Sequence, residues 1–295
     1  MDRFESLRLF TRVVDRGSFT AAAADLGVPR STATDVIRRL EERLQARLLD
    51  RTTRQVAPTQ DGRDFYVRCV AILADVEDAE AALRNAQPQG LLRVDAPGLL
   101  TRTFLLPQLP AFLDRHPGIE LQFGQSDRLV DLVREGVDCA LRVGDLVDSG
   151  LVQRRLGQLE EVTVASPAYL ARHGTPRTLE ELEGHRMVGF ISSRTGEVMP
   201  LEFTRAGAVH AVLLPSRVSA NHSDTTADLA RLGLGLIQAP RYRFAAELAA
   251  GTLIEVLPDN PPTPTALSAV FAQKRYLSPR LRVFLDWVAE IFRSS

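Results

Sequence analysis

Between residues 30 and 54 the chain sets out hydroxyls, a carboxylate and arginines in a pattern suited to reading a nucleic-acid duplex. Arg30, Ser31, Thr32, Thr34, Asp35 and Arg38 form one cluster, and Arg51 and Arg54 follow it. Short polar side chains near the start of a helix can meet base edges in a major groove, while guanidinium groups suit phosphates. Asp35 cannot hold a phosphate, but it can accept from cytosine N4. An arginine at the tip of a loop, as Arg54 would be, fits a narrow minor groove. Residues 27–63 hold eight arginines against five carboxylates, within a chain whose net charge is −1. That local excess predicts binding that weakens as salt rises. Lys274 is the sole lysine among 36 basic side chains, so nearly every cationic contact is a planar guanidinium fork.

A second set of chemical groups lies in the C-terminal two thirds. Thr101, Thr103, Ser126, Ser192, Ser193 and Thr225 offer hydroxyls, Gln125 and Asn221 offer amides, and Arg102, Arg142 and Arg194 offer charge. Leu99, Leu100 and Phe190 could supply an apolar wall. Together they suit a small anionic or polar ligand, although each hydroxyl taken singly also reads as a helix cap.

Catalytic signatures are absent. The sequence has no Walker A motif, no His-Glu-x-x-His and no paired Cys-x-x-Cys. Gly233-Leu234-Gly235-Leu236-Ile237 lacks the third glycine of a dinucleotide fingerprint and follows a helix rather than a strand. The five histidines have no metal-ligand spacing, and His222 alone falls near the expected ligand site. No nucleophile–base pair is evident, so no enzyme activity, cofactor or metal is expected. Cys69 and Cys139 sit in apolar surroundings and read as structural thiols.

The elements that position the first cluster are helical. Apolar residues at 4, 7, 10 and 14 mark an amphipathic helix over 4–14, ended by Gly17. Ser18 is the N-cap of a short alanine-rich helix over 19–26, and Gly27 permits a sharp turn. A third helix opens at Pro29-Arg30-Ser31. It turns Ala33, Val36, Ile37, Leu40 and Leu44 inward and Thr32, Thr34, Asp35, Arg38 and Arg39 outward. Strands over 47–51 and 55–59 would flank a wing at 52–54. This is a winged helix-turn-helix, although the amphipathic helices alone also fit a plain three-helix bundle.

Thr59 is the candidate N-cap of a long helix reaching about residue 85. Phe65, Cys69, Ile72, Val76, Ala79 and Leu83 alternate at spacings of four and three, the seam of a dimerising coiled coil. A helix buried within one domain is the alternative. Gln87-Pro88-Gln89-Gly90 then breaks the helix as a hinge.

Beyond the hinge, strands alternate with helices. Strands are expected at 91–96, 119–125, 137–143, 161–165, 187–191, 209–218, 235–238 and 267–272. Helices are expected at 101–115, 128–135, 167–173, 179–183, 224–232 and 279–292. Such alternation predicts parallel sheets with helices on their faces, and ligands outside the carboxyl ends of the strands. The segments so placed are 97–103, 125–127, 142–144, 190–194 and 221–225.

Here the motifs become specific. Ala21-Ala22-Ala23-Ala24-Asp25-Leu26-Gly27-Val28-Pro29-Arg30-Ser31-Thr32-Ala33-Thr34, with residues 37–41, 47–52 and 58–62, resembles the DNA-binding region of LysR-type transcriptional regulators. The residue after Thr34 is often basic or amide-bearing in that family, and Asp35 departs from it. Glu135-Gly136-Val137-Asp138-Cys139-Ala140-Leu141-Arg142-Val143-Gly144, with residues 148–152 and 165–170, is similar to the family's effector domain, which is itself similar to periplasmic solute-binding proteins. The resemblance covers residues 3–293.

It implies an α/β multidomain chain. A winged helix-turn-helix occupies 1–59, a linker helix and hinge 60–90, and an effector domain 91–295. The last has two α/β subdomains, 91–160 with 266–295, and 161–265. The function implied is a transcriptional regulator that binds pseudo-palindromic double-stranded DNA as a homo-oligomer, a dimer or tetramer. Its DNA contacts are Arg30, Ser31, Thr32, Thr34, Asp35, Arg38, Arg51 and Arg54. Leu100, Thr101, Arg102, Gln125, Ser126, Arg142, Phe190, Ser192 and Asn221 are the effector contacts, and RNA polymerase is a further candidate partner. Neither an apolar leader at the N-terminus nor an 18-residue apolar run is present, so a cytoplasmic protein is expected and a membrane partner is not. The rival readings are a solute-binding protein, which a leader would favour, and an enzyme whose N-terminal helices merely dimerise it.

Overall fold

The structure is a computed structural model, and it describes residues 2–51, 56–83, 87–128, 130–144, 151–272 and 277–293. Three helices begin the chain: α1 (Arg3–Arg16), α2 (Phe19–Asp25) and α3 (Arg30–Leu44). Asp2 and Glu5 close a reciprocal capping box on α1, and Gly17 ends it in the left-handed conformation at φ 57°. Ser18 accepts from the Ala21 amide at the start of α2. Ala22 and Ala23 are buried, so α2 can lie close to its neighbours. Leu7, Leu9, Phe10, Val13, Ala33, Ile37 and Leu40 complete one apolar core. Antiparallel strands β1 (Leu49–Arg51) and β2 (Val56–Pro58) follow. The expected wing at 52–54 lies outside the described residues.

The helix α4 (Gln60–Leu83) begins where Thr59 Oγ1 accepts from the Gly62 amide at 2.9 Å and donates to the Arg47 carbonyl at 2.7 Å. A side chain at Gly62 has no room, because its Cβ would stand 1.9 Å from the Leu48 carbonyl oxygen. The first half of α4 packs on α1: Phe10 and Phe65 rings lie 5.4 Å apart, and Tyr66 Oη donates to Asp15 at 2.5 Å. This corrects part of the expected coiled-coil seam. Cys69 is fully buried in the N-terminal core, and Phe65 packs against that core. The periodicity there records packing within one chain. Ile72, a turn further on, is exposed, and Val76 is half-buried. The side chains of Ala79 and Leu83 lie outside the described residues.

The C-terminal part opens with β3 (Gly90–Asp95) and a composite helix. That helix runs from α5 (Gly98–Leu100) through a π turn (Thr101–Leu105) and a 3-10 turn (Leu106–Gln108) into α6 (Leu109–Arg115). Pro107 and Pro110 interrupt the regular ladder. Then come β4 (Ile119–Gly124), α7 (Leu132–Glu135), β5 (Cys139–Val143), β6 (Leu151–Leu159), β7 (Glu161–Ala165), α8 (Pro167–His173) and β8 (Gly189–Phe190). The chain continues through β9 (Leu201–Arg205), β10 (Ala208–Val212), β11 (Ser219–Ala220), α9 (Ser223–Arg231), β12 (Ile237–Pro240), α10 (Ala245–Ala250), β13 (Ile254–Glu255), β14 (Thr265–Ala272) and α11 (Pro279–Arg293).

The sheets are mixed where parallel ones were expected. A five-stranded sheet has the order β4-β3-β5-β14-β6. β3 runs parallel to β4 and β5, but β14 lies antiparallel to β5 and β6 because it brings the chain back into this sheet. One core surrounds this sheet, built from residues 92–159 and 267–291. Separate clusters, drawn from residues 162–257, lie around the antiparallel β12-β7-β13 sheet. The strand expected over 209–218 is instead half of a β9–β10 hairpin. Its two-residue turn, Ala206 and Gly207, has positive φ at both positions, which suits the twist of a tight hairpin. Among the described residues no helix is long and apolar enough to cross a membrane.

Candidate nucleic-acid interface and effector cleft

The inner face of α3 decides its outer one. Burial of Ala33, Ile37 and Leu40 at helical spacing leaves Arg30, Ser31, Asp35, Arg38 and Arg39 exposed, with Thr32 and Thr34 half-buried. Thr34 Oγ1 donates to the Arg30 carbonyl at 3.1 Å, which fixes its rotamer and leaves the oxygen lone pairs able to accept. Arg38 is bonded to Glu42 at 2.7 Å and lies 3.6 Å from Asp35. These pairs are more than half exposed, so each is worth only about 0–1 kcal/mol and a phosphate can compete for the guanidinium. Arg30, Arg39 and Arg43 form no ion pair among the described residues. From the inner side of α3's end, the Glu41 carboxylate accepts from the Leu48 and Leu49 amides at 2.9 and 3.1 Å. Those bonds tie the helix to the start of β1. Arg54 and the side chain of Arg51 lie outside the described residues.

In the C-terminal part, three expected effector residues are spent inside the fold. Leu100 is fully buried in the core of the five-stranded sheet. Thr101 is 1% exposed, and its hydroxyl donates to the Pro97 carbonyl one turn back. Arg142 is buried, bonded to the Asp95 carboxylate at 2.6 Å and to the Arg128 and Leu141 carbonyls. These three are corrections: their polar or apolar groups stabilise the domain and do not face a ligand. Ser192 accepts from the amides of Arg194 and Thr195, which makes it a turn residue. Phe190 and Asn221 stand half-buried and exposed, outside the cleft lining.

A cleft of about 110 Å³ does form where the two cores meet. Gly98, Arg102, Gln125, Ser126 and Asp127 line one wall, and His222, Ser223 and Asp224 line the other. Arg102, Gln125 and Ser126 are therefore brought together as expected. Ser126 Oγ donates to Asp95, which joins the cleft to the buried Arg142 pair. Across the cleft, Asp127 Oδ2 accepts from the Ser223 amide at 2.7 Å and from its hydroxyl at 2.5 Å. Arg102 and Asp224 approach to 3.9 Å. Arg243 donates to both Asp224 and Ser223. Burial works to raise the Asp224 pKa, but the Arg243 hydrogen bond and the charges of Arg243, His222 and Arg102 outweigh it and hold the carboxyl below its usual range.

Asp127, Ser223 and Asp224 were inside the segments expected to border a ligand, but their pairing was not. Arg243 carried no signal, since its short 3-10 turn (Arg241–Phe244) has no clear periodicity. A larger open groove of about 520 Å³, lined by Gly184–Arg186 and Pro215–Arg217, holds none of the expected residues. Among the described residues no cluster of His, Cys, Asp or Glu could hold a metal ion. Burial pushes the Cys69 thiol up to about 12 and raises that of Cys139 as well, against thiolate chemistry at either.

Comparison with known proteins matches the same two parts. Residues 4–63 match the family of bacterial regulatory helix-turn-helix proteins of the lysR type, and residues 85–293 match the LysR substrate-binding domain. The chain is 35% identical over 295 residues to an uncharacterized HTH-type transcriptional regulator, YhjC, of Escherichia coli K12, covering 99% of each chain. It is 34% identical to the HTH-type transcriptional regulator CrgA of Neisseria meningitidis serogroup C, covering 97% of this chain and 96% of that one. The solved structure of the Neisseria protein, a LysR-type transcriptional regulator, superposes with a TM-score of 0.59, at 33% identity and 98% coverage of both chains. The full-length Vibrio cholerae virulence activator AphB superposes at 0.57, with 28% identity and coverage of 98% and 99%.

Proposed function

The chain belongs to the LysR family of transcriptional regulators, and on that premise we propose how its parts divide the work. Residues 1–59 bind double-stranded DNA, 60–90 join two chains, and 91–295 receive a small effector between subdomains 91–160 with 266–295 and 161–265. The protein acts by binding rather than catalysis, in the cytoplasm, with RNA polymerase as a further partner.

The orientation of α3 carries this reading. It packs Ala33, Ile37 and Leu40 inward and offers Thr32, Thr34, Asp35 and Arg38 to a major groove, with Arg30 and Arg39 available to phosphates. Arg51, at the end of β1, and Arg54, in the wing toward the minor groove, would follow. One such module has a small interface, so a second chain on a two-fold axis doubles it and reads a pseudo-palindrome. The later part of α4, which carries the exposed Ile72 and the expected seam residues Val76, Ala79 and Leu83, is the segment that pairs them. An effector in the cleft alters DNA binding only as far as it binds one arrangement of the subdomains more tightly than the other. Arg102, Gln125 and Ser126 suit a polar ligand.

Footprinting of the full chain on the DNA upstream of its own gene tests the reading. A protected site with two-fold related halves is expected. Absence of any protected site at low salt would sink it.

A further inference from the structure

The helix α9 starts without a local cap. His222 stands at its N-cap position and makes no side-chain cap hydrogen bond. The first amide of a helix has no partner inside the helix and needs one from outside. Here the Ser223 amide finds it 96 residues away, in the carboxylate of Asp127 on the opposite wall of the cleft. The same oxygen accepts the Ser223 hydroxyl. Arg243, its side chain only 5% exposed, donates to Ser223 Oγ and to Asp224, while its buried Nε has no partner among the described residues. Arg102 reaches Asp224 from the Asp127 side.

We propose that Asp127 is a built-in latch: its carboxylate takes the place of a carboxylate ligand at α9 and ties the two subdomains together across the cleft. This rests on the effector-cleft reading and deepens it. The positive end of the α9 dipole and the Ser223 donors form a place for one carboxylate, and the chain fills it with its own. Opening the cleft uncaps α9, so closure and helix capping form one cooperative contact. An effector that brings a carboxylate to this place competes with Asp127 for the same donors. Effectors that leave Ser223 alone, and bridge Arg102 and Gln125 instead, bind with the latch intact.

Hydrogen–deuterium exchange on the full-length chain tests the latch. In Asp127→Ala, amides in residues 221–228 are expected to exchange about tenfold faster than in the wild type, the loss of one charge-assisted bond. Amides of β14, in the far sheet, report that the variant remains folded. Sodium acetate at 100 mM is expected to restore the protection in Asp127→Ala, relative to sodium chloride of equal ionic strength, and to leave the wild type unchanged. Equal exchange in variant and wild type overturns the latch, as does acetate acting no better than chloride. Should Asp127→Ala fail to fold, Asp127→Asn carries the test: it keeps the shape but loses the charge, so a smaller acceleration supports the latch and the wild-type rate overturns it. A chain that gave no footprint would defeat the regulator reading without changing any of these exchange rates.

Discussion

On α3, arginines and hydroxyls stand outside a packed apolar face, and most of them are bonded only to their own helix or to none. At the cleft the same residue types are bonded across the chain: Asp127 to Ser223, Arg102 and Arg243 to Asp224, Ser126 and Arg142 to Asp95. The first surface is ready for a polyanion, because its exposed ion pairs are weak and a phosphate can replace a carboxylate. In the second most polar groups are already paired internally, so a ligand there must offer more than the contacts it breaks. A DNA-binding face can be built from one helix, whereas a responsive cleft requires groups from several loops that also hold the domain together.

The largest expected effect would separate the two regions. Arg142→Ala leaves the Asp95 carboxylate buried without its charged partner, a change that typically costs about 3–5 kcal/mol. Calorimetry of the full chain should show the C-terminal transition displaced downward, while the N-terminal helices keep their circular dichroism and their DNA binding at low temperature. An unchanged melting profile would return Arg142 to the role of a ligand contact and make the cleft as exposed in its chemistry as α3.

This substitution also shows what the sequence could and could not convey. Residue types and strand ends placed Arg142 near a ligand site, and it does lie on β5 close to Ser126. Whether its side chain faces the cleft or the core is decided by Asp95 on the neighbouring strand, a partner 47 residues away. The same holds for Thr101, whose hydroxyl bonds its own helix. On α3 no distant partner is needed, since a period of 3.6 sorts Ala33, Ile37 and Leu40 inward by itself, although Leu44, expected on the inner face, is exposed at the helix end. The a/d spacing in α4 was legible, but periodicity does not say which neighbour covers an apolar stripe. Cys69 and Phe65 are covered by α1 of the same chain. Strand direction is likewise a non-local property, so the antiparallel entry of β14 and the β9–β10 hairpin were not evident from alternating elements.

A smaller effect sharpens the comparison through pH. Glu161, the first residue of β7 after the chain leaves the five-stranded sheet, has its pKa pushed up to about 7 by burial, against a lowering hydrogen bond from Thr265. The folded chain therefore keeps a proton that the unfolded chain releases near the ordinary value of 4.5. Stability from this group falls as pH rises between about 4.5 and 7, by at most about 1.4 kcal/mol per pH unit, and is level above that window. Glu161→Gln should flatten the slope in the C-terminal transition. No corresponding pH dependence is expected for DNA binding by α3. A variant with the wild-type slope would place the responsible group elsewhere.

The smallest expected effect belongs to Thr34, and it concerns discrimination rather than affinity. Its rotamer is held by the Arg30 carbonyl, so its oxygen is presented in one orientation. Thr34→Ala removes the oxygen and leaves the helix face and every arginine in place. Discrimination between the footprinted site and single-base variants of it should fall by about 1 kcal/mol at one position in each half-site, with the salt slope unchanged. Arg39→Ala is the matched control: it should weaken all sequences alike and reduce the salt slope by about one. If Thr34→Ala instead weakened specific and random DNA equally, α3 would resemble the cleft after all, a surface whose polar groups hold position and leave recognition to others.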